Sequence, residues 1–120
     1  MINRVLIRLK VVQILYAYYK NGGRSVEAAE KELFYSLSKA YDLYNYLLLL
    51  MVEVTRFAER RIDNRRHKLR PTYEDLNPNT RFVDNAFMVQ LAQNKQLAEY
   101  AANQKRSWDD VGDFVKELFE

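Results

Sequence analysis

The stretch NRVLIRLKVVQILYAYYK, residues Asn3 to Lys20, decides the fold. In a helix that turns about 100° per residue, it places apolar side chains on almost every side and leaves only a narrow polar arc. A helix of this kind needs neighbours on several sides to cover it. The stretch therefore predicts an all-α fold, a bundle of about five helices packed around the N-terminal helix.

The length of the chain sets the number of domains. With 120 residues, it is long enough for one hydrophobic core, and no linker separates two apolar regions. We therefore expect a single helical domain over residues 1–120. The sequence stops at Phe119 and Glu120, inside an apolar helical pattern with no terminating residue, so we also expect it to be the N-terminal part of a longer protein.

Composition points to a reducing compartment. The chain has no cysteine, which excludes disulfides and thiolate metal sites. Its longest apolar run, Tyr46 to Val52, is far shorter than the roughly 20 residues needed to cross a bilayer. Residues 1–20 also lack the small-residue cleavage site of a secretion signal. We expect a cytoplasmic protein with no membrane partner.

The first half of the chain divides into three predicted helices. Asn21, Gly22 and Gly23 tolerate positive φ and predict a turn after the first helix. Ser25 can cap a second helix, which should run antiparallel to the first. Apolar residues spaced at threes and fours then predict a long helix from Ala40 to about Lys68. Because one unbroken helix would be unusually long, we expect a break near Ser36–Tyr41.

The second half should contain a loop and two further helices. Two prolines and two asparagines predict a loop over Pro71–Thr80. Apolar spacing predicts a helix from Phe82 or Asp84 to about Gln104, in which Asn94 would need a polar partner if buried. Ser107 and Asp110 resemble a capping box before a short amphipathic helix over residues 111–118.

Charge is segregated along the chain. Residues 1–24 and 60–70 each carry a net charge of +5, whereas residues 25–59 and 71–120 carry −3 and −4. Basic clusters are the electrostatic footprint of nucleic-acid binding, and an aromatic side chain such as Tyr16 can stack on an unpaired base. The first helix offers Arg4, Arg8 and Lys10. A second basic patch comprises Arg60, Arg61, Arg65, Arg66, Lys68 and Arg70.

The sequence contains few residues in the patterns that are typical of catalytic or metal-binding sites. His67 is the only histidine and lies within a basic run, so we expect it to be a solvated surface residue. Gly22 and Gly23 lack the lysine and hydroxyl of a phosphate-binding loop. Acidic residues at helix starts are explained by capping and the helix dipole. We expect no enzyme activity, no metal and no cofactor.

The first helix resembles that of the NusB transcription antitermination family. The resemblance lies in Arg8 followed by residues 12–18, VQILYAY, which match the family's V-Q-x-L-Y-x-aromatic signature after an arginine-rich start. Residues 29–63, AEKELFYSLSKAYDLYNYLLLLMVEVTRFAERRID, are similar to the first half of a longer variant of that family. The likeness covers residues 1–63 and is loose beyond them.

The resemblance implies an all-α fold of two helical subdomains that binds the boxA element of single-stranded RNA. It further implies pairing with the ribosomal protein NusE within RNA polymerase antitermination complexes on rRNA transcripts. Carried over by position, Arg4 and Arg8 contact phosphates, and Gln13 and Tyr16 belong to the same motif. The chain departs from the family in having residues 5–7, VLI, where consecutive arginines are typical, and in lacking the C-terminal motifs N-E-x-x-E and F-x-N-G-x-L.

Two readings therefore stay open. In the first, the basic end of the N-terminal helix, Arg4, Arg8 and Lys10, captures RNA electrostatically, alone or with the second basic patch. In the alternative, the chain is a helical interaction module, or a homodimer, with no RNA role of its own. Arg4 and Arg8 would then be a solvated helix end or would pair with the acidic 25–59 segment.

Overall fold

A computed structural model describes residues 3–23 and 25–120. These residues form helices and turns, with no β-strand among them, so the all-α prediction is confirmed. The chain divides into two compact units, Met1–Tyr44 and Asn45–Glu120. None of the described helices is long and apolar enough to span a membrane.

The first unit contains a helical hairpin. Helix α1, Arg4–Lys20, begins where the Asn3 side chain accepts a hydrogen bond from the Leu6 amide at 2.9 Å. It ends at the predicted turn, where Gly22 and Gly23 adopt φ of 75° and 74°. These left-handed angles are favourable for glycine, which has no Cβ to clash with the backbone.

Helix α2, Val26–Arg66, follows the turn. As predicted, Ser25 caps it, since its hydroxyl oxygen accepts a hydrogen bond from the Ala28 amide at 3.2 Å. Beside the turn, Ile14, Ala17 and Tyr18 of α1 and Ala28 and Ala29 of α2 line a small common cavity, so the two helices meet there.

The predicted break near Ser36–Tyr41 is wrong, because α2 continues through it and ends at Arg66 rather than Lys68. The segment contains neither glycine nor proline. The Ser38 hydroxyl donates to the Tyr35 carbonyl at 2.7 Å, so this side chain is satisfied within the helix instead of ending it. One turn further on, Lys39 pairs with Asp42 at 3.2 Å and supports the same stretch. The predicted second and third helices are therefore one.

Burial differs between the units. No described residue of the first unit is buried, and α1 exposes Val5, Leu9, Val12 and Tyr16 by 56% or more. The packing of other helices around α1 therefore stays a prediction. In the second unit Val52, Ala58, Leu97 and Val115 are buried and form the core.

The second unit adds short elements to the C-terminal part of α2. These are α3 (Tyr73–Leu76), α4 (Ala86–Gln93), α5 (Lys95–Asn103), a 3₁₀ helix (Trp108–Val111) and α6 (Gly112–Phe119). The rings of Phe57 on α2 and Phe119 on α6 lie 5.4 Å apart between centroids. Tyr46 on α2 contacts Tyr100 on α5, with centroids 6.0 Å apart. Aromatic contacts thus hold α5 and α6 to α2.

Two predictions about this unit need correction. Residues 71–80 are not only loop, because Thr72 and Asp75 form a capping box that starts α3. The predicted helix to Gln104 is two helices divided at Asn94. The Asn94 side chain accepts a hydrogen bond from the Leu97 amide at 3.0 Å, and a side chain that competes for the backbone in this way favours a new helix start. Asn94 is exposed, so the condition under which it was expected to need a polar partner does not arise.

Candidate nucleic-acid interface

Arg4 and Arg8 lie on the first two turns of α1, and both are exposed. In the part of the chain that the structure describes, no carboxylate lies within 4.0 Å of either guanidinium, and the first turn of α1 has no acidic residue. Positive charge at a helix N-terminus opposes the helix dipole by roughly 0.3–1 kcal/mol, so these arginines do not serve to stabilise the helix end. Together with the positive end of the helix dipole, they make the start of α1 electropositive and attractive to anions.

The five residues predicted on α1 do not share one face. Arg8 lies only about 40° from Arg4 around the helix axis, whereas Tyr16 and Lys10 lie about 120° from Arg4 on opposite sides and Gln13 lies about 180° away. Lys10 is half-buried, in contrast to Tyr16, which is 64% exposed. The structure therefore brings together the two arginines on one face and places Tyr16, Lys10 and Gln13 on other sides of the helix.

Lys20 was missing from the predicted site; it continues the series of four-residue steps from Arg4 through Arg8 and Tyr16, each of which turns about 40° around the helix, and it lies about 160° from Arg4. Its Nζ lies 5.9 Å from the centre of the Tyr16 ring, a cation–π contact one helical turn away. The i, i+4 spacing of Tyr16 and Lys20 was visible in the sequence. We call Arg4, Arg8, Tyr16 and Lys20 the α1 stripe, and about 18 Å of helix axis separates Arg4 from Tyr16 at 1.5 Å per residue.

The second basic patch is divided by the fold. Arg60, Arg61, Arg65 and Lys68 line a cavity of about 540 Å³ in the second unit. Arg66 lines a different cavity, beside Asp63 and Val83, and Arg70 is exposed. Lys116 and Trp108 also line the first cavity, and sequence reasoning missed both. Nothing local in the sequence links them to α2, since they lie about 50 residues further along the chain and only the folded chain brings them there.

Lys68 is held by a carboxylate rather than free for a ligand. Its Nζ lies 3.2 Å from Asp75 Oδ2, and the side chain of Asp75 is 8% exposed. The Thr72 amide donates to the same oxygen at 3.1 Å. This backbone hydrogen bond, followed by the one from Lys68, lowers the pKa of Asp75 below its ordinary value.

His67 is a surface residue, as predicted. Its side chain is 74% exposed, and its ring Nδ1 lies 2.8 Å from the Asp63 carbonyl oxygen, with the Asp63 carboxylate 3.7 Å away. Among the residues that the structure describes, no group of three or more histidine or acidic side chains could hold a metal ion.

No protein-family model, curated protein or solved structure matches this chain.

Proposed function

We propose that this chain is an RNA-binding protein of the NusB type that contacts single-stranded RNA of the boxA class through the α1 stripe. The observation that carries the proposal is the exposure of Arg4 and Arg8 at the start of α1 with no carboxylate beside them among the described residues. An uncompensated pair of arginines at a positive helix end costs stability unless an anion binds there. The phosphates of RNA are anions that arginine side chains bind through electrostatic attraction.

Tyr16 and Lys20 supply the second half of the binding mode. An exposed tyrosine ring offers a flat surface to an unstacked base, and a cation beside it can hold the neighbouring phosphate. Tyr16 belongs to the V-Q-x-L-Y-x-aromatic pattern on which the resemblance to the NusB family depends. The same proposal includes pairing with NusE in RNA polymerase antitermination complexes. It also includes a cytoplasmic location and a bundle packed around α1.

RNA titration at several salt concentrations tests this function. Each phosphate contact on a single strand contributes about 0.7 to the slope of log affinity against log salt. The double variant Arg4→Gln/Arg8→Gln should therefore lower that slope by about 1.4 and weaken binding of a fluorescently labelled boxA RNA at 50 mM salt. The control is Arg81→Gln/Arg106→Gln, which removes the same charge from exposed positions in the second unit.

The proposal predicts that the control keeps most of the wild-type slope. Equal losses in both double variants would mean that only net charge matters, and the α1 stripe would not be the site. A wild-type protein that fails to bind the RNA would refute the function itself.

The alternative, a helical interaction module without an RNA role, also has an observation in its favour. The first unit buries none of its described residues, and Tyr19, Val26 and Phe34 are 61–80% exposed. Apolar surface of this extent is typical of interfaces. Analytical ultracentrifugation beside the RNA titration separates the two functions, because a homodimer that is indifferent to RNA fits only the alternative.

A further inference from the structure

The cavity of about 540 Å³ in the second unit has the size of a small-molecule site. The last turns of α2 form one wall, and the 3₁₀ helix and α6 form the other. The described lining side chains include five cations and three carboxylates, so the cavity is electropositive.

Pairing within the protein leaves three of these cations free. Arg61 lies 3.8 Å from Glu120, and Lys68 pairs with Asp75. No carboxylate of the described residues lies within 4.0 Å of Arg60, Arg65 or Lys116. All three side chains are exposed, so they can reach a ligand without breaking an ion pair. Free cations at one cavity favour a phosphate or a carboxylate.

The aromatic wall of the cavity is held in a fixed orientation. Trp108 is half-buried, and its Nε1 donates to the Tyr46 carbonyl at 2.8 Å. Phe114 stacks on the indole, with centroids 6.0 Å and planes 21° apart. Phe114 is not among the lining residues, whereas Trp108 and Phe57 are. A planar apolar ligand group can therefore contact aromatic rings whose position is already set.

We propose that this cavity binds one nucleotide of single-stranded RNA, with the phosphate at Arg60, Arg65 and Lys116 and the base against Trp108. The inference rests on the proposed RNA binding and adds to it a second contact, separate from the α1 stripe. An acidic peptide would use the cations but has no group that requires the indole. Asp109, which lines the cavity and has no ion-pair partner among the described residues, can accept a hydrogen bond from an amino group of a base.

Tryptophan fluorescence tests this site directly, because Trp108 is the only tryptophan of the chain. The probes are a 12-nucleotide single-stranded oligoadenylate, AMP and inorganic phosphate. The oligoadenylate and AMP should quench Trp108, and inorganic phosphate should compete without quenching. In Arg60→Gln/Arg65→Gln the concentration for half-maximal quenching should rise about tenfold or more, since two charge-assisted contacts are lost.

Arg66→Gln/Arg70→Gln is the matched control, because it removes the same two charges from the same basic run at exposed residues that do not line this cavity. It should change quenching less than threefold. Lys116→Gln, on α6, is a second variant that leaves α2 intact, and it should also weaken quenching. Circular dichroism identifies any variant that does not fold.

Fluorescence anisotropy of labelled oligoadenylate, measured in parallel, separates the two proposals. Binding that raises anisotropy but leaves Trp108 unquenched would overturn the cavity site and leave RNA binding in place. Equal effects of Arg66→Gln/Arg70→Gln and Arg60→Gln/Arg65→Gln would overturn the cavity site as well. Absence of both signals would overturn the cavity site, and the titration with boxA RNA would then decide the proposed function by itself.

Discussion

Leu97 is the buried residue of α5, and its truncation to alanine should be the most damaging small change in the second unit. Its side chain is only 6% exposed. Leu97→Ala removes three carbon atoms, which corresponds to about 2.4 kcal/mol of lost transfer free energy at about 0.8 kcal/mol per methylene group. The cavity left behind raises the expected loss to about 3–4 kcal/mol, because the surrounding side chains relax only in part.

Urea unfolding followed by the fluorescence of Trp108 measures this loss. Trp108 is the only tryptophan and lies in the second unit, so its signal reports on the unit that contains Leu97. The expected result is a lower urea midpoint with an unchanged slope. In a thermal scan, a loss of about 3 kcal/mol corresponds to a fall in Tm of roughly 12–24 °C for a unit of this size.

Leu69→Ala is the matched control, since the same carbon atoms are removed from a side chain that is fully exposed. We expect it to change the free energy of unfolding by less than about 0.5 kcal/mol. If the two variants lost equal stability, or if Leu97→Ala cost under 1 kcal/mol, Leu97 would not be part of the core and the assignment of that core would be refuted.

Two further predictions concern capping and backbone conformation. The pKa of Asp75 lies below its ordinary value of 3.8. The stabilisation of the fold by this carboxylate should therefore be complete above pH 3.8 and be lost as the pH falls below that value. An NMR titration of the Asp75 carboxyl checks this, and a midpoint at or above 3.8 would contradict it. Gly22→Ala should lower the free energy of unfolding by about 1–2 kcal/mol, because φ is 75° at this position. No neighbour lies within 4 Å of an added Cβ, so the cost comes from the backbone conformation alone. Gly112 has φ −54° and equally open space, so Gly112→Ala should instead raise the free energy of unfolding by about 0.5–1 kcal/mol. Thermal unfolding in which both variants changed stability in the same direction would disprove the argument.

The RNA titration of the Arg4→Gln/Arg8→Gln variant, set against Arg81→Gln/Arg106→Gln, bears on function rather than stability. Its outcome decides whether the positive end of α1 is a ligand site or a solvated helix end. The stability predictions above stand or fall independently of it.

Structural features that depend on neighbouring residues could be predicted from the sequence alone. Four features were predicted correctly in this way, and they are the all-α class, the cap at Ser25, the glycine turn and the exposed histidine. All of them depend on residues within a few positions of one another. Interactions of this range act in any chain that contains those residues in that order. Even here one local reading was wrong, because Asn94 looked like a polar residue inside a helix and is the cap that starts a new one.

Only the tertiary structure decided which distant residues share a site. The basic residues 60–70 are one run in the sequence, yet the fold places Arg65 and Arg66 on different cavities and brings Lys116 and Trp108 to the first of them. The continuity of α2 likewise could not be read from Ser36 and Ser38, since a serine can either end a helix or bond back to its own backbone. For the cavity residues, the physical reason is that packing in three dimensions sets which side chains meet, and sequence periodicity carries no record of which elements come together.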